Sequence, residues 1–154
     1  MSIMISQKKY APGHKYRHDI VKRILQSNLP IDIYGKGCTY YKDARIKGEF
    51  NDEAIMLESY KFHIAIENHV TNHYFSEKIC SPLMLGANPI YLGCSNIDAY
   101  FPEMVIKLTG NIDEDMKLIE AVCNSPDKYY KPVDLQTIDA NINIIKDLIE
   151  DKLF

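Results

Sequence analysis

Short apolar runs alternate with amphipathic segments along most of this chain. The pattern predicts β-strands at residues 2–6, 31–34, 62–66, 89–92 and 105–108. It predicts helices at residues 15–28, 76–86, 113–123 and 134–153, where apolar positions recur at steps of three and four. Because strands and helices alternate, we expect an α/β fold: a Rossmann-like, doubly wound, mostly parallel sheet of about five strands.

The most informative stretch is residues 60–93, which read YKFHIAIENHVTNHYFSEKICSPLMLGANPIYLG. An apolar strand is predicted to end at Glu67 and Asn68, a polar loop over residues 69–74 follows, and a helix begins near Ser76. Strand, loop, helix and strand in this order are typical of a parallel βαβ unit. Ligands of open α/β sheets bind at the carboxyl edge of the strands, so this stretch gathers polar groups where a ligand is expected.

The remaining segments give weaker patterns. Residues 36–51 have no clear period and are predicted to be irregular, and Asn51 or Asp52 is placed to cap a short helix that ends at Glu58. The apolar stripe of the last helix, residues 134–153, is typical of a face docked on the core.

Length and composition fit one domain over residues 1–154. The chain is 46% hydrophobic and carries a net charge of -3, which argues against a nucleic-acid partner. We expect no membrane span, because no apolar run approaches the roughly 18 residues that a span needs. Residues 1–10 do not have the apolar core of a signal peptide, so a cytoplasmic location is the expectation.

Several charged side chains are candidates for binding an anion. Glu77 and Lys78 lie at a predicted helix start, where free N–H groups favour anions, although glutamate is common there for its effect on the helix dipole alone. Glu67 and Asn68 follow a predicted central strand and are placed for ligand contact. Arg17 has the planar fork that suits a pyrophosphate, but it also fits a solvated helix face.

Other kinds of site are not supported. His69 and His73 fall in a predicted loop with no third ligand at a suitable spacing, so we expect no metal site. The chain has no GxxxxGK[ST], GxGxxG or GxSxG motif, and its four cysteines form no CxxC pair. The residues alone therefore predict an α/β domain that binds an anionic, nucleotide-like ligand.

One set of motifs adds a family resemblance. The set comprises Tyr60-Lys61-Phe62, Glu67-Asn68, Tyr74, Ser76-Glu77-Lys78 and Pro89-Ile90-Tyr91-Leu92-Gly93. In this order they resemble the donor-binding signature of the α1,3/α1,4-fucosyltransferases, glycosyltransferase family 10. A looser resemblance covers residues 16–37. The resemblance implies the C-terminal, donor-binding half of a GT-B glycosyltransferase.

The resemblance also implies a role for each matching residue. Arg17 and Lys78 would contact the diphosphate of GDP-fucose, Asn68 and Tyr74 would lie along the nucleotide and its phosphates, and Glu77 would face the fucose as the catalytic residue. Glu67 and Ser76 complete the implied donor-binding set. The implied reaction is an inverting transfer of fucose to a glycan acceptor, with no metal and no cofactor, because the two cations neutralise the leaving diphosphate.

The resemblance also leaves points open. Members of the family carry an N-terminal acceptor domain, which we expect to be absent here, so a partner chain, another domain or a second copy would complete the acceptor site. His69, His73 and Ser76 depart from the family's usual residues, which leaves the sugar open between fucose and another nucleotide-linked sugar. The alternatives are a binding module without catalysis and a structural protein with an unused site. Charges kept together at Arg17, Glu77 and Lys78 count against the latter.

Overall fold

The computed structural model describes residues 1–140, and within them the chain forms one parallel sheet with helices on both faces. The strands are β1 (Ser2–Met4), β2 (Asp32–Tyr34), β3 (Ile46–Gly48), β4 (Phe62–Thr71), β5 (Asn88–Cys94) and β6 (Ile106–Lys107). The α-helices are α1 (Pro12–Leu25), α2 (Ala54–Leu57), α3 (Glu77–Met84), α4 (Ile112–Asn124) and α5 (Pro126–Tyr129). Two 3-10 helices cover Lys36–Tyr40 and Ile97–Ala99.

The six strands lie in the order β3-β2-β1-β4-β5-β6 and every pairing is parallel. Strand β1 pairs with β2 on one side and with β4 on the other, so the chain reverses its direction of sheet growth between β1 and β4. A reversal of this kind opens a crevice at the carboxyl ends of the two strands. The predicted doubly wound α/β fold is confirmed, with one strand more than expected.

The helices bury both faces of the sheet, which is why its central strands are apolar runs. On one face, α1 and α4 pack on the even-numbered apolar residues of β4, with Ile20, Ile24 and Ile64 fully or almost fully buried. On the other face, Ile79 and Leu83 of α3 are fully buried against odd-numbered positions of the same strand. Consecutive β4 side chains therefore enter different helical layers, and this alternation continues into the candidate site.

Strand β4 departs from the prediction in a way that affects the site. It was expected to end at Ile66 and give way to a polar loop, whereas it continues to Thr71. The register explains the difference: Ile66 pairs with Leu92 and Thr71 pairs with Cys94, so four residues of β4 oppose one residue of β5. This bulge accommodates the polar sequence that follows Ile66, and it places Glu67 and Asn68 inside a strand rather than after one.

Other boundaries differ for local reasons. Helix α1 begins at Pro12 rather than at residue 15, because a proline in the first turn is preorganised for a helix and loses no hydrogen bond there. Residues 36–51 are not wholly irregular, since they contain a 3-10 helix and the edge strand β3. The side chain of Asp52 accepts a hydrogen bond from the N–H of Ala54, as expected of a residue starting a short helix. The predicted helix over residues 134–153 is helical at 135–140, and its remainder lies outside the described residues.

No helix within residues 1–140 is long and apolar enough to cross a membrane.

Candidate functional site

The crevice between β1 and β4 is closed on one side by a very close approach of α1 to β4. A Cβ atom added to Gly13 would lie 1.8 Å from the backbone oxygen of Glu67, so only glycine allows this contact. The approach sets the first turn of α1 directly against the Glu67–Asn68 segment. Gly13 was not among the predicted site residues, although a Pro-Gly pair ahead of a helical stripe could have suggested a tight helix start.

Arg17 and Asn68 meet on this side of the sheet. Nη2 of Arg17 donates a 2.6 Å hydrogen bond to Oδ1 of Asn68, and Nε of Arg17 donates a 3.2 Å bond to the carbonyl of Gly13. Arg17 is 4% exposed, so the alternative of a solvated helix face is excluded. Burial lowers the pKa of the guanidinium, and the carboxylates of Glu67 and Glu77 act in the opposite direction. Arginine stays charged under all ordinary conditions, so the crevice holds a fixed positive charge.

Glu67 faces the other helical layer and is 2% exposed. Its Oε1 accepts hydrogen bonds from the N–H of Ser76 and from Oγ of Ser76, both at 2.9 Å, and Oγ also lies 2.8 Å from Oε2. The hydroxyl of Tyr91 lies 3.5 Å from Oε1. A Cβ atom on Gly93 would come within 2.4 Å of Cγ of Glu67 and of the Tyr91 hydroxyl, so Gly93 makes room for this buried group.

Ser76 links Glu67 to the first turn of α3. It is the N-cap residue of that helix, and its Oγ accepts from the backbone N–H of Lys78 at 3.3 Å and from Nζ of Lys78 at 3.0 Å. Nζ of Lys78 also lies 2.9 Å from Oε1 of Glu77 and 3.6 Å from Oε2 of Glu67. The Glu77 side chain is 64% exposed, and its hydrogen bond with Lys78 lowers the pKa of its carboxyl group.

Apart from Tyr74, the predicted site residues are therefore brought together, but they lie on two sides of β4. Arg17 and Asn68 lie on the α1 side of β4, while Glu67, Ser76 and Lys78 lie on the α3 side. The two groups meet at neighbouring positions of the chain, because Glu67 and Asn68 are adjacent in β4 and point to opposite faces. Positive charge thus flanks the carboxyl edge of β4 from both layers.

Tyr74 lies apart from these contacts and is 53% exposed. The loop that carries it is fixed by its neighbour His73, which has a φ of 56° and donates its backbone N–H to Oδ1 of Asn96 at 2.8 Å. The His73 ring also lies 2.8 Å from the hydroxyl of Tyr100. Within residues 1–140, no hydrogen bond or ring contact restricts the Tyr74 side chain.

Two cavities open at the same carboxyl edge. One of about 240 Å³ is lined by Gly13, Tyr16, Asn68, Leu92 and Gly110, among others, next to the Arg17–Asn68 contact. Another of about 280 Å³ is lined by the residues that follow β1 and β2 and by Phe50. A larger cavity of about 790 Å³ near Arg23 and Asn124 lies away from these charged groups and is not considered part of the site.

A buried histidine completes the helix side of the crevice. Nδ1 of His14 accepts a 3.2 Å hydrogen bond from the N–H of Ala11 at the start of α1. Burial, together with the positive charges of Arg17, Lys8 and Lys78, lowers the pKa of His14. His14 was not among the predicted site residues, since a lone histidine in a basic helix carries no distinguishing signal.

His69 and His73 are not brought together with a third ligand. Within residues 1–140, no group of three histidine, cysteine, aspartate or glutamate side chains converges in a way that would suit a metal ion. His73 instead bonds to Asn96 and Tyr100, as described above. At the crevice itself, Arg17 and Lys78 are the groups suited to an anion, and the carboxylates of Glu67 and Glu77 pair with Lys78.

Comparison with known proteins identifies relatives of this chain. Residues 2–129 match the family model described as glycosyltransferase family 10 (fucosyltransferase) C-term. The chain is 31% identical over 144 residues to GDP-fucose protein O-fucosyltransferase 3 of Danio rerio, covering 86% of this chain and 31% of the relative. It is 36% identical over 94 residues to alpha-(1,3)-fucosyltransferase B of Drosophila melanogaster, covering 56% of this chain and 21% of that protein.

Solved structures share the fold. An alpha1,3-fucosyltransferase crystallised with GDP-fucose superposes with a TM-score of 0.65 at 17% identity, covering 94% of this chain and 46% of the other. The same comparison with an alpha1,3-fucosyltransferase crystallised with GDP gives a TM-score of 0.64 at 20% identity, again covering 94% of this chain and 46% of the other. The chain thus spans less than half of the solved structures and about a third of its zebrafish relative.

Proposed function

The chain belongs to glycosyltransferase family 10, and from that membership we propose that it is the donor-binding part of a fucosyltransferase. In this proposal it corresponds to the C-terminal half of a GT-B enzyme and binds GDP-fucose for transfer to a glycan or protein-linked acceptor. Two named relatives, from zebrafish and fly, and the structures crystallised with GDP-fucose and GDP make this donor the first choice.

One observation carries the proposal: two buried or half-buried cations flank the same two residues at the carboxyl edge of β4. Arg17 reaches Asn68 from one layer, and Lys78 lies 3.6 Å from Glu67 in the other. A diphosphate is the ligand that needs such a pair, since each cation forms charge-assisted hydrogen bonds to phosphate oxygens. The switch point of a doubly wound sheet is also the usual place for a nucleotide.

The charges also suit the chemistry of glycosyl transfer. When the bond between sugar C1 and the diphosphate oxygen breaks, positive charge grows on the sugar and negative charge grows on the leaving group. Arg17 and Lys78 would stabilise the leaving diphosphate, and Glu77, whose carboxylate is exposed beside Lys78, would face the sugar. We propose on this basis that transfer inverts the anomeric carbon and proceeds without a metal ion.

Calorimetric titration tests the proposal. We expect GDP and GDP-fucose to bind to the purified chain and UDP-sugars to bind at least tenfold more weakly, with the same affinities in the presence of a chelator. Absence of any GDP binding would refute the donor assignment. A tenfold loss of affinity in chelator would refute metal independence alone, and equal binding of UDP-sugars would refute the choice of nucleotide.

A second candidate function is a nucleotide-sugar-binding module that transfers sugar only with a partner. The observation that favours it concerns bases: among the carboxylates at the crevice, Glu67 is buried and Glu77 is paired with Lys78. Neither is placed to take a proton from an acceptor hydroxyl. In this version an acceptor domain, a partner chain or a second copy of the chain supplies the base.

A further inference from the structure

We infer that Glu67 and Ser76 are positioning residues that hold Lys78 for the diphosphate and do not themselves contact the donor. This inference rests on the proposed function, because it assigns how one of the two cations is kept in place. It reverses the expectation that Glu67 and Ser76 are donor contacts. The pair, called here the Glu67–Ser76 clamp, joins β4 to the first turn of α3.

Glu67 is too deeply buried to contact the donor. At 2% exposure its carboxylate has almost no surface to offer a ligand, and both oxygens already accept hydrogen bonds from Ser76. A carboxylate facing a diphosphate would also repel it. A buried carboxylate is retained only when it is well paired, and here its partners are a backbone N–H, a hydroxyl group and the ammonium of Lys78.

The hydroxyl of Ser76 connects the Glu67 carboxylate to Lys78. It donates its one hydrogen to the Glu67 carboxylate, so its lone pairs remain to accept from Lys78. One of these bonds comes from the Lys78 backbone and the other from Nζ, which fixes both the first helical turn and the end of the side chain. The direction of the Ser76 hydroxyl is therefore set by Glu67, and the position of the ammonium follows from it.

Gly93 leaves space for the Glu67 side chain. Any side chain there would meet Cγ of Glu67 and the hydroxyl of Tyr91, which itself accepts from the N–H of Cys94 at 3.0 Å. The end of β5 is thus shaped around the Glu67 carboxylate. A lysine side chain loses considerable conformational freedom when it is fixed, so a clamp that fixes it before the ligand arrives lowers the cost of binding.

Binding measurements on matched variants test the clamp. Glu67→Met keeps the length of the side chain but removes both acceptors, and Ser76→Ala removes the bridging hydroxyl. Each is expected to weaken GDP binding about tenfold, the scale of one charge-assisted hydrogen bond. Ser76→Thr, which keeps the hydroxyl, should bind GDP within twofold of the parent, and so should Glu120→Gln on the distant helix α4.

A double-mutant cycle separates positioning from a general structural effect. In a Lys78→Ala background, Glu67→Met should cause no further loss of GDP affinity, because the clamp acts through Lys78. Additive losses would overturn the inference, as would a failure of Ser76→Thr to restore binding. If Glu67→Met does not fold, the Ser76 variants carry the same test against Lys78→Ala.

Amide hydrogen exchange, measured without nucleotide, tests the clamp independently of GDP binding. The Ser76 N–H is donated to a buried carboxylate, so it should exchange slowly in the parent and at least tenfold faster in Glu67→Met. If the parent does not bind GDP yet shows this change, the donor assignment fails while the clamp at the start of α3 stands. Unchanged exchange at Ser76 would overturn the clamp whatever the chain binds.

Discussion

Nη2 of Arg17 donates a 2.6 Å hydrogen bond to Oδ1 of Asn68, which ties helix α1 to strand β4 at the carboxyl edge of the sheet. Nε of the same guanidinium is bonded to the carbonyl of Gly13, so the plane of the group is fixed by two contacts. Its Nη1 has no hydrogen bond within residues 1–140. Arg17 is thus both a structural link and a cation with donors to spare for an anion.

The first prediction follows from this double role. Arg17→Ala should weaken GDP binding by about 1.5–3 kcal/mol, the range for a lost charge-assisted hydrogen bond, and should also lower the free energy of unfolding by about 1–3 kcal/mol. Titration calorimetry and denaturant unfolding measure the two effects. Arg23→Ala is the matched control, because Arg23 lies on the same helix in an exposed ion pair with Asp113. Parental GDP affinity in Arg17→Ala would remove Arg17 from the site.

Lys78 should behave differently from Arg17. Its side chain is 18% exposed and contacts Ser76 and Glu77 at the start of α3 and Glu67 of β4. Because the Glu67 carboxylate keeps its hydrogen bonds from the N–H and hydroxyl of Ser76, Lys78→Ala should leave the fold intact. We expect GDP affinity to fall by about 1.5–3 kcal/mol with little change in the unfolding midpoint. Lys22→Ala, an exposed lysine paired with Asp19, serves as the control. The assignment is contradicted if both alanine variants bind GDP equally well.

The contact between Gly13 and Glu67 predicts a steric effect. Gly13→Ala should lower the free energy of unfolding by about 2–4 kcal/mol, because the new methyl group would lie 1.8 Å from a backbone oxygen that cannot move without shifting β4. Gly48→Ala is the comparison: nothing lies within 4 Å of its Cβ position, and its φ of 83° should cost only about 1–2 kcal/mol. Denaturant unfolding of both variants checks the order, and a smaller loss at Gly13 would contradict the close approach.

Much of the fold could be predicted from the chain because local patterns and packing agree there. The apolar residues of β1, β4 and β5 are buried on both faces, so their runs are unmistakable, and Ser76 caps α3 as its residue type suggests. Strand β3 was not predicted, because Ile46–Gly48 is a three-residue edge strand held by pairing with β2. Tertiary pairing, which the local sequence does not encode, decides such segments.

The candidate site, like the fold, could be predicted only in part. The residue types and order of Glu67, Asn68, Ser76 and Lys78 indicated where ligand-binding chemistry would gather, and they are brought together. The roles could not be predicted, because they depend on which face each side chain takes. The alternation of β4 continues through these two residues and sends Glu67 into the α3 layer and Asn68 to Arg17. It could not be predicted because the strand continues past Ile66 only through its bulged pairing with β5.

Stability should fall as the pH drops below about 6.5, and His63 gives one reason. The ring is buried, with Nδ1 lying 2.8 Å from Oγ of Ser2, and burial lowers its pKa to about 3. Below pH 6.5, His63 therefore takes up a proton in the unfolded chain but not in the folded chain. Stability that is present above pH 6.5 is lost as the pH falls toward 3. Between pH 7 and 5.5 this group alone should cost about 1 kcal/mol.

The measurement is denaturant unfolding of the parent and of His63→Asn across pH 5.5–7. The amide of asparagine can donate to Ser2 but does not titrate, so the variant should lose less stability on acidification. His14 and His18 also have pKa values lowered by burial, so a smaller slope should remain in the variant. Equal slopes for the two proteins would show that His63 takes up its proton in the folded state.

Catalysis provides the last prediction, and the chemistry of the acceptor decides it. Inverting transfer needs a base within hydrogen-bond reach of the acceptor hydroxyl, and placing both substrates together supplies much of the rate. At the crevice the carboxylate of Glu67 is buried on Ser76, and that of Glu77 is bonded to Lys78 beside the expected position of the sugar. The chain aligns with only 31% and 21% of the zebrafish and fly relatives, so we propose that the base comes from other parts of such proteins.

We therefore expect the isolated chain to bind GDP-fucose with little or no transfer to N-acetyllactosamine-type or peptide acceptors. The assay follows fucose transfer and GDP release by the purified monomer, with Glu77→Ala as the matched variant to distinguish enzymatic turnover from spontaneous hydrolysis of the donor. Restored transfer on addition of a domain or partner that carries an acceptor site would support the division of roles. Robust turnover by the monomer, abolished in Glu77→Ala, would show that the crevice already holds a competent base and that Glu77 or a neighbouring group acts on the acceptor directly.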